Sequence, residues 1–310
     1  MAFKRVTVFG GSGFLGRQIV KRLAAEGASI RVAVRHPERA SFLERMGRDG
    51  QIEVVHADVG DESTIAQAVT KATWVINTVG HYVEKSGATF DAIHGQGARA
   101  VARQAGSAGV ERLIHISGLG ADPTSDSAYI KARGMGEILV KEAFSGVTIL
   151  RPSVIFGPGD AFLNILAGMA RRTPVLPLFG MGHTSLQPVF VGDVAEACAR
   201  VLADPAAQGK AYELGGPGVY TYKALLQLVL KQANRRRILI PAPFFFWDGL
   251  AAMMALLPNP PLTRDQVKLM KRDNVIKGNE LTLEDLGISP VSVEEILPTY
   301  ISPDHGVPAS

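Results

Sequence analysis

The sequence predicts an α/β fold, in which a doubly wound parallel sheet is followed by a second, smaller C-terminal α/β domain. Two observations carry this prediction. Apolar strand patterns alternate with amphipathic helix patterns over the first half of the 310-residue chain, and the first strand runs directly into three glycines spaced G-x-x-G-x-x-G. Alternating strands and helices form right-handed crossovers, which produce a parallel sheet with helices on both faces.

The predicted elements follow one another along the chain, with apolar runs as strands and stripes of helical spacing as helices. Strands are predicted at 3–9, 29–34, 52–56, 73–77, 112–116 and 147–150. Helices are predicted from Gly16 to Gly27 and at 62–71, 89–107 and 129–144. We place the parallel-sheet domain at 1–155, with later segments that return to it, and the smaller domain at 156–310.

A cradle for a dinucleotide pyrophosphate is predicted between the first strand and the first helix. Glycines allow the backbone to turn sharply and to approach the phosphates, and the helix directs its first N–H groups at them. A glycine triplet alone is a weak signal, but here a strand precedes it and a helical stripe follows it. This Rossmann pattern assigns the pyrophosphate to Gly10, Ser12, Gly13, Phe14, Leu15 and Gly16.

A positive charge at the end of the second strand bears on which dinucleotide is bound. Arg35 follows that strand directly, and His36 and Arg39 lie beside it. In a Rossmann sheet this position meets the adenosine ribose, where a carboxylate selects a free 2′-hydroxyl and an arginine can clamp a 2′-phosphate. Arg35 therefore favours NADP(H) over NAD(H); the alternative is that Arg35 is a solvated loop charge.

The composition is that of an ordinary globular protein in a reducing compartment. The formal net charge is only +4 and there is no aromatic-plus-basic stripe, which argues against nucleic-acid binding. Cys198 is predicted to be a small buried residue, and His115 a satisfied core residue. The histidines show no metal-ligand spacing, so no metal site is predicted. The first strand begins close to Met1, which predicts a cytosolic or an already processed protein.

A very apolar segment at 243–257 lies between prolines in the C-terminal part. It is too short to span a membrane, and it contains Asp248. One interpretation is a buried core helix. The other is a helix that docks on a partner or on an anionic membrane surface, because three arginines precede it and further basic residues follow it.

From Val6 to about Gly216 the chain resembles the extended and atypical short-chain dehydrogenase/reductases, the NAD-dependent epimerase/dehydratase-like group. The resemblance rests on the glycine loop, the turn at 57–59, the strand end at 77–80, the segment at 151–160, and two residues discussed below. It implies adenine contacts for Asp58 and Val59, although Asp58 could instead cap the next turn. It implies ribose and pyrophosphate contacts for Asn77, Val79 and Gly80, and nicotinamide contacts for Pro152 and Val154.

Catalysis in this superfamily uses a serine, a tyrosine and a lysine one helical turn after the tyrosine. Ser117 and Tyr129 match the first two, but the residue four positions after Tyr129 is Arg133. Positions i and i+4 share a helix face, so Tyr129 and Arg133 can hold the nicotinamide ribose, but an arginine does not readily give up a proton. Cofactor binding is therefore predicted to be retained and catalysis impaired. Ser117 and Tyr129 are either surviving catalytic residues or a structural inheritance.

A narrower resemblance covers nearly the whole chain. Segments 187–195, 212–217, 262–267 and 273–275 are similar to the Rossmann-fold accessory subunit of respiratory complex I and its bacterial relatives. This family implies tightly held NADPH in an accessory or assembly subunit of proton-pumping NADH:quinone oxidoreductase. It also implies a place on the peripheral arm near the quinone site, at the inner face of the cytoplasmic membrane, or on the matrix side in an organelle.

The alternative function is a free-standing enzyme. It would be an NADPH-dependent reductase, or an epimerase or dehydratase, that acts on a sugar-nucleotide, isoprenoid or quinone-like substrate, as in ubiquinone biosynthesis. Such an enzyme would oxidise NADPH with a carbonyl substrate and would need Tyr129, whereas an accessory subunit would co-purify with complex I from membranes.

Overall fold

The computed structural model describes residues 4–84, 87–257, 260–278 and 280–302. The chain divides into two compact units. The first comprises Met1–Pro152, Gly192–Leu214 and Gly278–Ile288, and the second comprises Ser153–Val191, Gly215–Lys277 and Ser289–Ser310. The first unit therefore gathers three parts of the sequence, and its first segment ends three residues before the predicted boundary.

The described residues form the following strands and α-helices. The strands are β1 (Arg5–Phe9), β2 (Ser29–Val34), β3 (Ile52–His56), β4 (Trp74–Asn77), β5 (Arg112–Ile116), β6 (Thr148–Pro152), β7 (Ile155–Phe156), β8 (Val175–Phe179), β9 (Ser185–Leu186), β10 (Val189–Phe190), β11 (Ala211–Leu214), β12 (Tyr220–Thr221) and β13 (Ile238–Ala242). The helices are α1 (Phe14–Ala25), α2 (Glu62–Val69), α3 (Ala98–Ser107), α4 (Ala128–Ala143), α5 (Phe162–Arg172), α6 (Val191–Ala203), α7 (Tyr222–Gln232), α8 (Phe244–Met254), α9 (Arg264–Leu269) and α10 (Val293–Ile296).

The first unit is built on a seven-stranded parallel sheet in the order β11-β6-β5-β4-β1-β2-β3. Strand order reverses at β1 and β4, whose last residues, Phe9 and Asn77, pair in register. Ligands of open α/β sheets bind in the crevice that forms at such a reversal. The predicted α/β class with a parallel sheet is confirmed. Cys198 of α6 is fully buried, as predicted.

The helix predicted at 89–107 has two parts in the structure. A π-helical segment, Asp91–Gly97, continues into α3. Val59 and α4 pack closely against this segment. A Cβ added at Gly97 would lie 2.8 Å from Val59 Cγ2, and a Cβ added at Gly136 of α4 would lie 2.0 Å from the His94 carbonyl oxygen. Hydrophobic periodicity does not report such a local change in helical register, and π-helical turns frequently occur at functional sites.

The second unit combines short strand pairs with helices. β8 pairs in parallel with β13, β7 pairs in parallel with β10, and β9 pairs antiparallel with β12. Apolar side chains of α5 and α7, including Leu163, Leu166 and Leu225, form one buried cluster with those of β8. Capping boxes begin α9 at Thr263 and α10 at Ser292.

The apolar segment forms α8, and only one stripe of this helix is buried. Trp247 and Ala251 lie one turn apart, are 7% and 0% exposed, and pack with Val267 of α9. In contrast, Phe245 is 78% exposed and Phe246 is 52% exposed. The interpretation of this segment as a buried core helix is therefore wrong. No helix among the described residues is long and apolar enough to cross a membrane.

We expect Gly16→Ala to destabilise the first unit. A Cβ at position 16 would lie 2.3 Å from the Gly10 carbonyl oxygen and 2.7 Å from Gly11 Cα, and backbone atoms cannot move aside as a flexible side chain can. Overpacking of this kind costs about 1–3 kcal/mol, so the melting temperature should fall by several degrees. Gly13→Ala is the matched control, because its Cβ would meet only the Gly10 carbonyl oxygen, at 3.2 Å. Equal melting temperatures for the two variants would contradict this packing.

Candidate functional site

The loop between β1 and α1 is held in a tight turn by its glycines. Gly10 has a φ of +75°, a conformation that favours glycine, and its carbonyl oxygen accepts a 3.0 Å hydrogen bond from Gly13 N–H. A Cβ on Gly10 would lie 2.8 Å from Thr78 Oγ1, in the segment after β4. Gly11 is equally constrained, because a Cβ added at this position would lie 2.7 Å from Val32 Cγ1. No role was predicted for Gly11 from the sequence.

The N-terminus of α1 is open to an anion. Its N-cap residue is Gly13, no side chain caps it, and its first turn holds no acidic residue. Gly13 is exposed, while Ser12, Phe14 and Leu15 beside it are half-buried. Backbone N–H groups at an uncapped helix N-terminus bind phosphate. The residues present therefore fit the pyrophosphate of a dinucleotide.

Arg35 lies directly after β2 with an exposed side chain. Its carbonyl oxygen is 3.0 Å from His56 Nδ1. In the part of the chain that the structure describes, no carboxylate forms an ion pair with the Arg35 guanidinium, whereas Glu38 lies 3.4 Å from His36 Nδ1 and 3.9 Å from Arg39 Nε. Arg35 thus keeps its charge available at the carboxyl end of β2.

Asp58 and Val59 follow β3 in different surroundings. Asp58 Oδ1 accepts a 2.8 Å hydrogen bond from Gly60 N–H, and the Asp58 N–H donates to Thr64 Oγ1 at 3.0 Å. Asp58 therefore has the turn-capping role that its sequence position also allowed. Val59 is buried in the apolar cluster of α2 and α3. Contact of either residue with adenine stays a prediction.

The segment after β4 joins the end of that strand to the end of β1. Thr78 Oγ1 donates to the Phe9 carbonyl oxygen at 2.8 Å. Asn77 is 2% exposed, and its Oδ1 accepts a 3.1 Å hydrogen bond from Val79 N–H. These bonds fix the backbone on the β4 side of the crevice.

Tyr129 lies in the first turn of α4 and is enclosed by other aromatic rings. Tyr82 stacks on it with ring centroids 5.1 Å apart, and the rings of Phe90 and His94 meet it edge-on, each at 5.4 Å. Tyr129 is 8% exposed, whereas Tyr82, which covers it, is 59% exposed. Side-chain interactions with Tyr82 and Arg133 act on the pKa of the Tyr129 phenol in opposite directions, since that with Tyr82 raises it and that with Arg133 lowers it.

Arg133 lies between the Tyr129 ring and the end of β5. Its Cζ is 4.8 Å from the Tyr129 ring centroid, and its Nη1 donates to the Ile116 carbonyl oxygen at 3.4 Å. Two glycines leave room for it, since a Cβ on Gly80 would lie 3.5 Å from Nη2 and one on Gly118 would lie 3.3 Å from Cδ. Arg133 is only 9% exposed. Within the described ranges, no carboxylate forms an ion pair with it.

Burial dominates the ionisation of this site. It raises the pKa of the Tyr129 phenol well above its usual range, although the nearby charge of Arg133 acts in the opposite direction. Burial, reinforced by Arg133, lowers the pKa of His94 to about 3, and the same two causes lower that of His115 to about 4. At neutral pH both histidines are therefore uncharged and Tyr129 is protonated. Lys131, two residues after Tyr129, is exposed.

Three buried polar atoms near Arg133 lack hydrogen-bond partners among the residues that the structure describes: Ser117 Oγ, His115 Nδ1 and Arg133 Nε. Ser117 is 1% exposed and His115 is 4% exposed. The prediction that His115 is buried is confirmed, but the prediction that it is satisfied is wrong. Buried polar atoms without partners are rare, so these three indicate a place where a bound group supplies the missing hydrogen bonds.

Two residues were predicted to flank nicotinamide. Pro152 ends β6, and its carbonyl oxygen accepts a 2.9 Å hydrogen bond from Leu119 N–H in the first unit. Val154 belongs to the second unit, where its N–H donates to Asn274 Oδ1 at 3.1 Å. Ser153 Oγ donates to the same oxygen at 2.6 Å. The role of Pro152 and Val154 toward nicotinamide stays a prediction.

The side chains that enclose Tyr129 were not predicted from the sequence. Tyr82, Phe90 and His94 follow β4 and enclose Tyr129, but they belong to no motif used above. A usable signal was present, because an aromatic-rich run directly follows the strand at whose end the sheet order reverses. Such a run is placed to line the crevice.

Two relatives from distant organisms share a name. A Mus musculus protein named NADH dehydrogenase (ubiquinone) 1 alpha subcomplex subunit 9, mitochondrial, is 34% identical over 291 residues, covering 93% of this chain and 77% of that protein. The Arabidopsis thaliana protein of the same name is 34% identical over 298 residues, covering 92% of this chain and 74% of that protein.

A solved structure shares the fold. The crystal structure of Citrobacter sp. triphenylmethane reductase complexed with NADP(H) matches with a TM-score of 0.76 at 19% identity, covering 95% of this chain and 99% of that chain. At this identity the likeness shows the fold alone. Residues 10–161 match a family described as NAD(P)H-binding. The resemblance predicted from the sequence is confirmed: the chain belongs to the NAD(P)H-binding Rossmann family that includes subunit 9 of the NADH dehydrogenase (ubiquinone) 1 alpha subcomplex.

Proposed function

We propose that this chain holds NADPH as an accessory or assembly subunit of proton-pumping NADH:quinone oxidoreductase (complex I), with a structural or regulatory nucleotide. The observation that carries the proposal is an open phosphate loop combined with a buried Tyr129–Arg133 pair that is poorly suited to cycle a proton. The names of the relatives, which match over more than nine-tenths of this chain, support the assignment to complex I.

The proposed nucleotide contacts lie at the carboxyl ends of the sheet strands or in the segments that follow them. The pyrophosphate is assigned to the glycine loop at 10–16, the 2′-phosphate to Arg35, and the adenine to Asp58 and Val59. The remaining contacts are assigned to Asn77, Val79, Gly80, Tyr129, Arg133, Pro152 and Val154. A bound NADPH supplies a hydride, so what this chain does with that hydride depends on its own acid and base groups.

Proton transfer is the step that these residues support poorly. A carbonyl that accepts a hydride must also take a proton, which Tyr129 would donate, and the resulting tyrosinate must be stabilised and reprotonated. Burial disfavours this tyrosinate, since it raises the pKa of the phenol. An arginine does not readily give up a proton, so Arg133 is poorly suited to relay one. Tyr82 also covers the Tyr129 ring.

The exposed face of α8, Phe245 and Phe246, supports a docking role. Two large aromatic side chains exposed side by side are costly in water unless a partner covers them. We propose that this face binds a peripheral-arm subunit near the quinone site or the anionic membrane surface beside it. The protein would then lie at the inner face of the cytoplasmic membrane, or on the matrix side in an organelle.

A pull-down of the tagged protein from native membranes tests this function. We expect complex I subunits and stoichiometric, slowly exchanging NADPH in the eluate. The double variant Phe245→Ser/Phe246→Ser should retain NADPH and lose most of the complex I subunits. Ile165→Ser on α5 is the matched control, because it removes a side chain that is 60% exposed outside α8.

Two results would count against the proposal, one from the pull-down and one from an activity assay. A soluble protein without complex I subunits, which loses its nucleotide readily, would favour the free-standing enzyme. NADPH oxidation with a carbonyl substrate that Tyr129→Phe abolishes would show that catalysis survives.

The choice of NADP(H) depends on Arg35. We expect Arg35→Asp to weaken NADPH binding by about ten- to a hundredfold, because it removes a charge-assisted hydrogen bond to the 2′-phosphate and adds a repelling charge. NADH binding should be unchanged or tighter, since a carboxylate accepts hydrogen bonds from a free 2′-hydroxyl. Both affinities can be measured by calorimetry.

Arg39→Asp is the control for Arg35→Asp. Arg39 is exposed and lies beside Glu38, so its loss should change NADPH affinity by only a few-fold. Unchanged NADPH affinity in Arg35→Asp would show that Arg35, at the end of β2, does not bind the 2′-phosphate.

A further inference from the structure

We infer that this site selects the reduced form of its nucleotide, because Arg133 places at the nicotinamide end a buried positive charge that no carboxylate of the described residues pairs with. This inference rests on the proposed function, in which Arg133 holds the nicotinamide ribose. The nicotinamide ring is a cation in NADP⁺ and is neutral in NADPH. A fixed cation therefore repels the ring of NADP⁺ and not that of NADPH.

The carboxylates near Arg133 form their hydrogen bonds and ion pairs with other groups. Glu137, one turn after Arg133 on α4, accepts hydrogen bonds from Arg151 at both of its oxygens, at 2.9 and 2.7 Å. Arg151 also pairs with Glu280, whose side chain is 40% exposed and therefore largely screened by water. Glu84 accepts a backbone N–H at 2.7 Å. Within the residues that the structure describes, none of these carboxylates forms an ion pair with Arg133.

The rings that touch or surround Arg133 add no compensating charge. Tyr129 is buried beneath Tyr82 and remains protonated, because burial raises its pKa. His94 and His115 are buried and uncharged, since burial lowers their pKa values to about 3 and about 4. These rings therefore leave the positive charge of Arg133 uncompensated.

Burial strengthens the electrostatic interaction between Arg133 and a nicotinamide ring bound beside it. Arg133 is 9% exposed, so little water screens its field, and a charge–charge interaction in a partly buried site is several times stronger than in bulk water. We expect NADPH to bind about tenfold or more tightly than NADP⁺. This preference would keep the reduced nucleotide in place in the proposed holding role.

The test compares three nucleotides on the full chain. Dissociation constants are measured for NADPH, NADP⁺ and 2′-phospho-ADP-ribose, which lacks nicotinamide, with the wild type, Arg133→Met and Arg133→Lys. We expect Arg133→Met to reduce the ratio of the NADP⁺ to the NADPH constant by about tenfold. Arg133→Lys conserves the charge and should keep most of the ratio. 2′-Phospho-ADP-ribose keeps the ribose that Arg133 is proposed to hold, so Arg133→Met should weaken its binding about as much as that of NADPH.

The outcomes separate this inference from the proposed function. Equal affinity of the wild type for NADPH and NADP⁺, or an unchanged ratio in Arg133→Met, would overturn the inference. If none of the three nucleotides bound to the wild type, the proposed nucleotide site itself would fail. If Arg133→Met does not fold, Arg133→Gln removes the same charge, and the wild-type ratio remains decisive.

Discussion

The steric contact between Gly16 and the Gly10 carbonyl oxygen constrains the rest of the first unit. With only 2.3 Å available to a Cβ at position 16, α1 can begin on the end of β1 only if that residue is glycine. Thr78, which follows β4, bonds to the Phe9 carbonyl oxygen at the same end of β1. The point at which the strand order reverses is therefore also the point at which the phosphate loop is tightest. The proposed nucleotide contacts are positioned relative to this turn.

The chemistry of the site depends on which of two opposing effects wins at Tyr129. The charge of Arg133 favours a tyrosinate, and enclosure by Tyr82, Phe90 and His94 disfavours it; burial wins, so the phenol keeps its proton. An arginine at this position adds charge without adding a group that can give up a proton. A nucleotide-binding fold can in this way persist without turnover, which is what the proposed holding role requires.

The sequence predicted what local patterns and backbone sterics determine. The strands β1–β6 follow from apolar runs, the phosphate loop from glycine spacing, and Arg133 from its distance to Tyr129. Tertiary contacts determine the rest. The π-helical segment Asp91–Gly97 is pressed against α4 and Val59, which periodicity does not report. Composition showed that α8 is apolar, but only packing decides that Trp247 is buried and Phe245 is not. That His115 Nδ1 lacks a hydrogen-bond partner among the described residues likewise depends on neighbours that are distant in sequence.

The most direct test of a held nucleotide is complementation of a strain that lacks this chain, read out as NADH:quinone oxidoreductase activity of its membranes. Gly13 is the N-cap of α1 with extended backbone, a position that suits aspartate, so Gly13→Asp should fold while its carboxylate repels the pyrophosphate. The account predicts that Tyr129→Phe, provided that it retains NADPH, restores full activity and that Gly13→Asp does not. Full activity with Gly13→Asp, or loss of activity in a Tyr129→Phe protein that still retains NADPH, would contradict the claim that the nucleotide is held and not turned over.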